Sequence, residues 1–253
     1  MTDHDAASQH PPAVAHNHHG RAWRRESSCA FQGKDHKNYG VLASWNSSTS
    51  YCSWEGVTCS CRRRVVALDL HSQGLTGTIS PAIGNLTFLR GLNLSFNNLH
   101  GGIPPTIGSL RRLWYLDLRD NLLVGTIPSN ISRCTSLKIL VIADNQNFQG
   151  SIPAEIGNMP MLSALELYNN SITGTIPPSL RNLSQLAVLS LKGNHLQGSI
   201  PEGIGSNPQH WFLQLSINNL SGLLSPSLYN LSSLRCCEQP SWSSPRRSRK
   251  KPA

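Results

Sequence analysis

Leucines recur along this chain as alternating Leu-x-Leu pairs, and the interval from one pair to the next hardly varies. Leu68/Leu70, Leu92/Leu94, Leu116/Leu118, Leu140/Ile142, Leu165/Leu167, Leu189/Leu191 and Leu213/Leu215 follow one another at 24, 24, 24, 25, 24 and 24 residues. A period this steady predicts a solenoid, in which each copy is one supersecondary unit stacked on the next. The alternation within a pair predicts a short strand with its leucines inward and the intervening residues facing solvent. One such strand cannot bury its leucines alone. Stacking pairs the strands in a parallel sheet and builds a continuous apolar column, so stability resides mainly in the interfaces between units. The predicted fold is an α/β solenoid of seven repeats over residues 65–234.

Polar positions share the period. An amide follows each pair three residues on: Gln73, then Asn97, Asn121, Asn145, Asn170, Asn194 and Asn218. The six asparagines sit where the chain leaves the strand and bends, and their amides are expected to satisfy backbone groups that the bend leaves unpaired. The resulting internal ladder is structural, each rung contributing about 1 kcal/mol net. A glycine, an apolar residue and a proline then close each unit, as in Gly101/Ile103/Pro104 and Gly174/Ile176/Pro177. Glycine permits the second bend, and proline ends regular pairing on the outer side.

Composition narrows the function. The 253 residues are 38% hydrophobic and 14% charged, which allows a real core, and no apolar run is long enough to span a bilayer. The net charge of +9 divides unevenly: residues 1–64 contribute +3, residues 65–234 +1 and residues 235–253 +5. The excess lies in the flanks, so the folded part predicts no nucleic-acid partner, and the run Arg246, Arg247, Arg249, Lys250, Lys251 reads as a solvated tail. Nucleotide-binding, zincin and hydrolase motifs are absent from the sequence. Glu155 and Glu202 fall at equivalent outer positions and are a repeat feature, not a catalytic pair. No enzyme activity, cofactor or metal is expected.

At Leu94-Ser95-Phe96-Asn97-Asn98-Leu99-His100-Gly101-Gly102-Ile103-Pro104 the chain resembles the plant-specific leucine-rich repeat, Leu-x-x-Asn-x-Leu-x-Gly-x-Ile-Pro. Ala43-Ser44-Trp45-Asn46 and Cys52-Ser53-Trp54-Glu55-Gly56-Val57-Thr58-Cys59 are similar to the N-terminal cap that precedes such repeats in plant receptor-like kinases. The stretch from Val65 to Leu86 looks like the grass immune-receptor kinases. The resemblance implies a right-handed superhelix with a parallel inner sheet and an irregular or 3-10 outer arc. It divides the chain into an atypical N-terminal segment (1–40), a cap (41–64), the repeats (65–234) and a basic tail (235–253). It also implies a cap disulfide between Cys52 and Cys59, and thus an oxidising compartment. Cys134 is expected to act as a small buried hydrophobe on the outer arc.

Eight Asn-x-Ser/Thr acceptors occur. Asn46, Asn85, Asn130, Asn182, Asn219 and Asn230 are candidate glycosylation sites, whereas Asn93 and Asn169 fall on or beside the inner strands, where a glycan would obstruct a partner. Cap, acceptors and resemblance place the chain outside the cell or at the plasma membrane. Residues 1–40, with scattered His and Pro, do not read as a signal peptide, so a cytoplasmic destination is the competing expectation. With neither kinase domain nor span, the chain reads as a truncated receptor derivative.

The inner face is the default binding surface of a solenoid. Asp69, His71, Phe96, Asp117, Arg119, Asp120, Asp144, Glu166, Tyr168, Lys192 and Gln214 are its candidate contacts. Asp117, Asp120, Asp144 and Glu166 occupy three consecutive units beside Tyr168 and predict an acidic, aromatic patch suited to a basic peptide. The function expected is recognition of a peptide, glycan or protein ligand in defence or signalling, with or without a co-receptor. A soluble inhibitor of microbial cell-wall-degrading enzymes and a non-functional gene fragment are the alternatives.

Overall fold

A computed structural model describes residues 44–45, 48–204 and 212–222. The acceptors Asn46 and Asn230, the N-terminal segment and the basic tail lie outside the described residues.

Eight short strands form one sheet in chain order. Val57–Cys59 pairs antiparallel with Val65–Asp69; Gly91–Asn93, Tyr115–Asp117, Ile139–Val141, Ala164–Glu166, Val188–Ser190 and Phe212–Gln214 follow, each parallel to its predecessor. Equivalent residues lie opposite one another: Leu68, Leu92, Leu116, Leu140, Leu165, Leu189 and Leu213 form one unbroken file, all nearly or fully buried. A second file of buried side chains, Leu75, Leu99, Leu123, Phe148, Ile172 and Leu196, closes the core from the other side. Smaller parallel ladders run along that side, the longest pairing Thr76–Thr78, Asn98–Gly101 and Leu122–Leu123.

The outer arc consists of one 3-10 turn per unit: Pro81–Asn85, Pro105–Ser109, Ser129–Arg133, Ala154–Asn158 and Pro178–Asn182. Each is entered from an extended residue, Ser80 or a proline; the prolines have no N–H with which to extend the turn backwards, and Ser80 is biased to extended backbone by Pro81 after it. The core side of these turns is a single apolar file, Ile83, Ile107, Ile131, Ile156 and Leu180. Cys134 is buried beside it and donates its thiol hydrogen to Ile107 O; burial pushes the thiol pKa up to about 12.

The asparagines act through backbone groups rather than through one another. Asn97 Nδ2 donates to Leu70 O, Leu94 O and Ser95 O, while its Oδ1 accepts from Gln73 N and Leu75 N. One side chain thus ties the bend of its own unit to that of the unit before. Asn121, Asn145, Asn170, Asn194 and Asn218 repeat the pattern. Gln73 differs, turning its amide back to His71 O.

The 25-residue interval has a local cause. Between Asn145 and Phe148 the chain carries one residue more than between Asn121 and Leu123, and the strand Asn145–Gly150 pairs with Asn170–Ile172 through a register shift at that point. The bulge absorbs the insertion, so Phe148 still reaches the core file.

The cap seals the first unit. A disulfide joins Cys52 to Cys59, Trp45 stacks on Trp54 at 5.0 Å, and Asp69 N donates to Gly56 O. Gly56 lies so close that a Cβ there would stand 2.4 Å from Asp69 O and 2.7 Å from Leu70 Cδ2. Among the described residues no helix is long and apolar enough to cross a membrane.

Candidate functional site

Side chains on the solvent face of the eight-stranded sheet fall into files, because parallel register places equivalent residues side by side. The file at the end of each strand runs Asp69, Asn93, Asp117, Val141, Glu166, Ser190, Gln214. Two residues further on, past each strand, lie His71, Ser95, Arg119, Ala143, Tyr168, Lys192 and Ser216.

At the centre of this face Asp117 is held in an ion pair, and of the four acids expected there it is the most deeply buried. Asp117 has a side chain only 3% exposed, and Arg119 grips it through Nε at 3.0 and 2.9 Å and Nη2 at 2.7 Å. Tyr115 donates its hydroxyl to Asp117 Oδ2 at 2.9 Å, and Arg119 N donates to Asp117 Oδ1. With both oxygens occupied and solvent excluded, Asp117 has no free lone pair to offer a basic ligand. Truncating it would leave Arg119 without its partner, so a substitution there reports on the sheet before it reports on binding.

Arg119 also lies within electrostatic reach of Glu166 and Tyr168, two units away. The intervening unit carries Val141 and Ala143 at these positions, both fully buried. Small apolar residues there let groups from units on either side meet above them. Burial raises Glu166 above the usual carboxylate range, against the opposing charge of Arg119. Tyr168 is likewise raised, by burial first and by Asp144 second.

Two further carboxylates stand at the next position along, in the bend. Asp120 is exposed, and Asp144 is half-buried and accepts from Asn169 Nδ2 at 2.8 Å. Both adopt left-handed backbone conformations, with φ of 53° and 51°, which short Asp side chains tolerate. Phe96 and Ile217 occupy the same left-handed position at φ of 56°, where neither residue type is favoured, and their side chains are 51% and 63% exposed. Backbone strain and exposed apolar surface thus coincide at one position of the bend. Asp69 and His71 form an exposed pair at 3.0 Å near the cap, a contact worth little to stability. Lys192 and Gln214 lie towards the other end, and Gln214 Oε1 accepts from Ser190 Oγ at 2.8 Å.

One file escaped the sequence reading. Ala67, Gly91, Tyr115, Ile139, Ala164, Val188 and Phe212 lie side by side two residues before the strand-end file, on the same face. They give the face an apolar margin opposite the acidic bend. The alternation that assigned the residues between the leucines predicts these as well, had it been extended one step back.

Asn85 and Asn182 are exposed on the outer arc, Asn130 is half-buried there, and Asn219 is exposed on the side opposite the long sheet. Asn93 and Asn169 are on the sheet side and are engaged with Ser95 and Asp144.

Tyr115 supplies a measurable handle. Its pKa is pushed up to about 12, by burial first and then by the charge of Asp117 and the hydrogen bond to it. The folded state therefore keeps the phenolic proton that the unfolded state loses near pH 10, and stability falls as pH rises from about 10 towards 12. Ultraviolet difference titration of the folded chain should show one phenol ionising near 12, moving towards 10 in Asp117→Asn; an unchanged titration would contradict the contact.

A family model described as "Leucine-rich repeat region" matches residues 51–250, and one described as "Leucine rich repeat N-terminal domain" matches residues 30–60. Among curated proteins, the LRR receptor-like serine/threonine-protein kinase EFR of Arabidopsis thaliana is 62% identical over 58 residues, 22% of this chain and 6% of that protein. The chain thus matches only a small part of the length of such relatives. Among solved structures, a plant ice-binding protein is similar at a TM-score of 0.72 and 29% identity, over 81% of this chain and 64% of that one. The Arabidopsis receptor kinase HAESA, in complex with the peptide hormone IDA and the co-receptor SERK1, is similar at 0.70 and 27%, over 87% and 41%.

Proposed function

The chain belongs to the leucine-rich repeat family, and on that premise we propose that it is a recognition module that holds an extended peptide segment against the solvent face of its long sheet, in defence or signalling. Its architecture is that of a plant receptor-kinase ectodomain. The observation that carries the proposal is the layout of that face: an apolar margin of Tyr115, Ile139, Val188 and Phe212 along one side, Asp120 and Asp144 along the other, and Phe96 and Ile217 in strained, exposed positions at the bend. A strand-like segment lying across the units would meet the apolar margin with one set of side chains and the two carboxylates with basic ones. HAESA, of similar architecture, was solved with a peptide hormone, which supports a peptide as ligand class. Ice binding finds no comparable support, since neighbouring positions on the opposite side change type, with Thr76 beside Asn98 and Thr78 beside His100.

Selection of the folded chain against a library of nine-residue peptides should enrich sequences that combine Lys or Arg with an apolar anchor. The Asp120→Ala/Asp144→Ala variant, which leaves Asp117 and Arg119 intact, should bind the enriched peptides about five- to tenfold more weakly. Equal binding by the variant would refute the acidic bend as a contact.

A further inference from the structure

Charge on the folded units is balanced in sum but separated in space. Asp120 and Asp144 follow the strands, whereas the loops that precede the first four parallel strands carry Arg62, Arg64, Arg90, Arg111, Arg112 and Lys138. Parallel register brings all six to one edge of the sheet. Among the described residues, ion pairs join only Asp69 to His71 and Asp117 to Arg119, so no carboxylate neutralises any of these six. The same edge of the next two units carries Met161, Ser163, Gln185 and Ala187. An edge built merely for solvation would carry mixed charge along its whole length; this one is basic over its first half and neutral over its second.

Two further features are organised within it. Phe88 lies in the unit between those of Arg64 and Arg112, whose guanidinium carbons stand 3.9 and 4.5 Å from its ring centroid. The aromatic ring thus holds like charges in fixed positions, by cation–π contact, where repulsion would otherwise spread them. Trp114 is 44% exposed and lies between Arg90 and Lys138: its N donates to Arg90 O at 2.8 Å, and Lys138 N donates to its O at 2.9 Å. The backbones of these three residues therefore lie one strand spacing apart in space, about 4.8 Å each.

We propose that this edge is a second binding surface, distinct from the sheet face, and that it takes a linear acidic polysaccharide of the polyuronate class. A polyuronate repeats one carboxylate per sugar ring, a length of the same order as the strand spacing. Arg90 and Lys138 then meet carboxylates on either side of a sugar whose C–H face lies on the Trp114 indole, with Arg64 and Arg112 around Phe88 as a second row of charge beside it. The exposed aromatic between cations favours a ring-bearing polyanion over a phosphate surface, and the disulfide-bonded cap fits an oxidising compartment in which such polymers occur.

The test uses the full chain, calcium-free buffer and low salt, with de-esterified polygalacturonate as the probe. Binding should weaken steeply as salt rises, because counterions are displaced, and the fully methyl-esterified polymer should not bind. Arg90→Gln/Lys138→Gln, at two exposed positions, should weaken binding at least about tenfold, and Trp114→Ala should do so without changing the salt dependence. Far-ultraviolet circular dichroism and thermal unfolding check that the variants keep their fold, and Lys192→Gln, on the sheet face, should bind as the parent does. Undiminished binding by Arg90→Gln/Lys138→Gln would assign the interaction to the basic residues 246–251 and overturn the proposal. So would single-stranded DNA binding as tightly as polygalacturonate with no dependence on Trp114.

Discussion

Asn97→Ala should lower the stability of the chain by about 4 kcal/mol, because it leaves the backbone N–H groups of Gln73 and Leu75 and the carbonyl of Leu70 without their partner, while Leu94 O and Ser95 O keep Asn121 Nδ2 and Ser72 N. Each unpaired buried donor costs about 1–3 kcal/mol, and alanine leaves a small cavity besides. The loss falls on the interface between the first two units, where the stability of a solenoid resides. Asn218→Ala, at a partly buried position in the last described unit, should cost roughly half as much, since water can replace part of what is lost. Chemical denaturation of both variants checks this; equal losses would show that the rungs act locally and not through buried contacts between units.

Gly108→Ala is the second large effect, and its cause is steric. A Cβ on Gly108 would stand 2.3 Å from Asn130 O and 3.0 Å from Asn130 C, backbone atoms of the next outer turn that have no rotamer through which to escape. The two turns must separate, and the isoleucine file beneath them, Ile107 and Ile131, must part with them. The expected cost is about 3 kcal/mol, the upper end for overpacking a tight interior. Ser132 occupies the equivalent place one unit on, so that interface already accommodates a Cβ, and Ser132→Ala should change stability by less than about 0.5 kcal/mol. Thermal unfolding of the pair separates a packing constraint from helix propensity, because propensity alone would make Gly108→Ala stabilising.

The fold was legible because its physics is periodic. The leucine files and the asparagine rungs recur at a fixed interval, and each needs its residue type for a reason visible in one unit. What period cannot reveal is a contact that one unit makes differently from the rest. Asp117 occupies the same register position as Asn93 and Glu166, and position alone assigns it to solvent; only the meeting of Tyr115, Asp117 and Arg119 in space buries it. The extra residue near Asn145 was countable, but its placement before Phe148 depends on which residue the core would accept. Net charge misled in a similar way. A sum of +1 over residues 65–234 conceals a basic edge before the strands and an acidic bend after them, separated because one lies at each end of every short strand.

The same separation frames the function. One face joins an apolar margin to Asp120 and Asp144, the edge beside it is basic around Trp114, and three of the described glycan acceptors, Asn85, Asn130 and Asn182, sit on the outer arc. Glycans on the outer arc would leave both surfaces open.

Carboxylate footprinting tests most directly whether ligands dock on the solvent face of the long sheet. The folded chain would be labelled with a water-soluble carbodiimide and an amine, with and without an enriched nine-residue peptide, and each modified acid quantified by mass spectrometry. The account predicts that peptide protects Asp120 and Asp144 while Glu155 and Glu202, on the outer arc, label as before. Protection of Glu155 or Glu202 with Asp120 and Asp144 unchanged would contradict it.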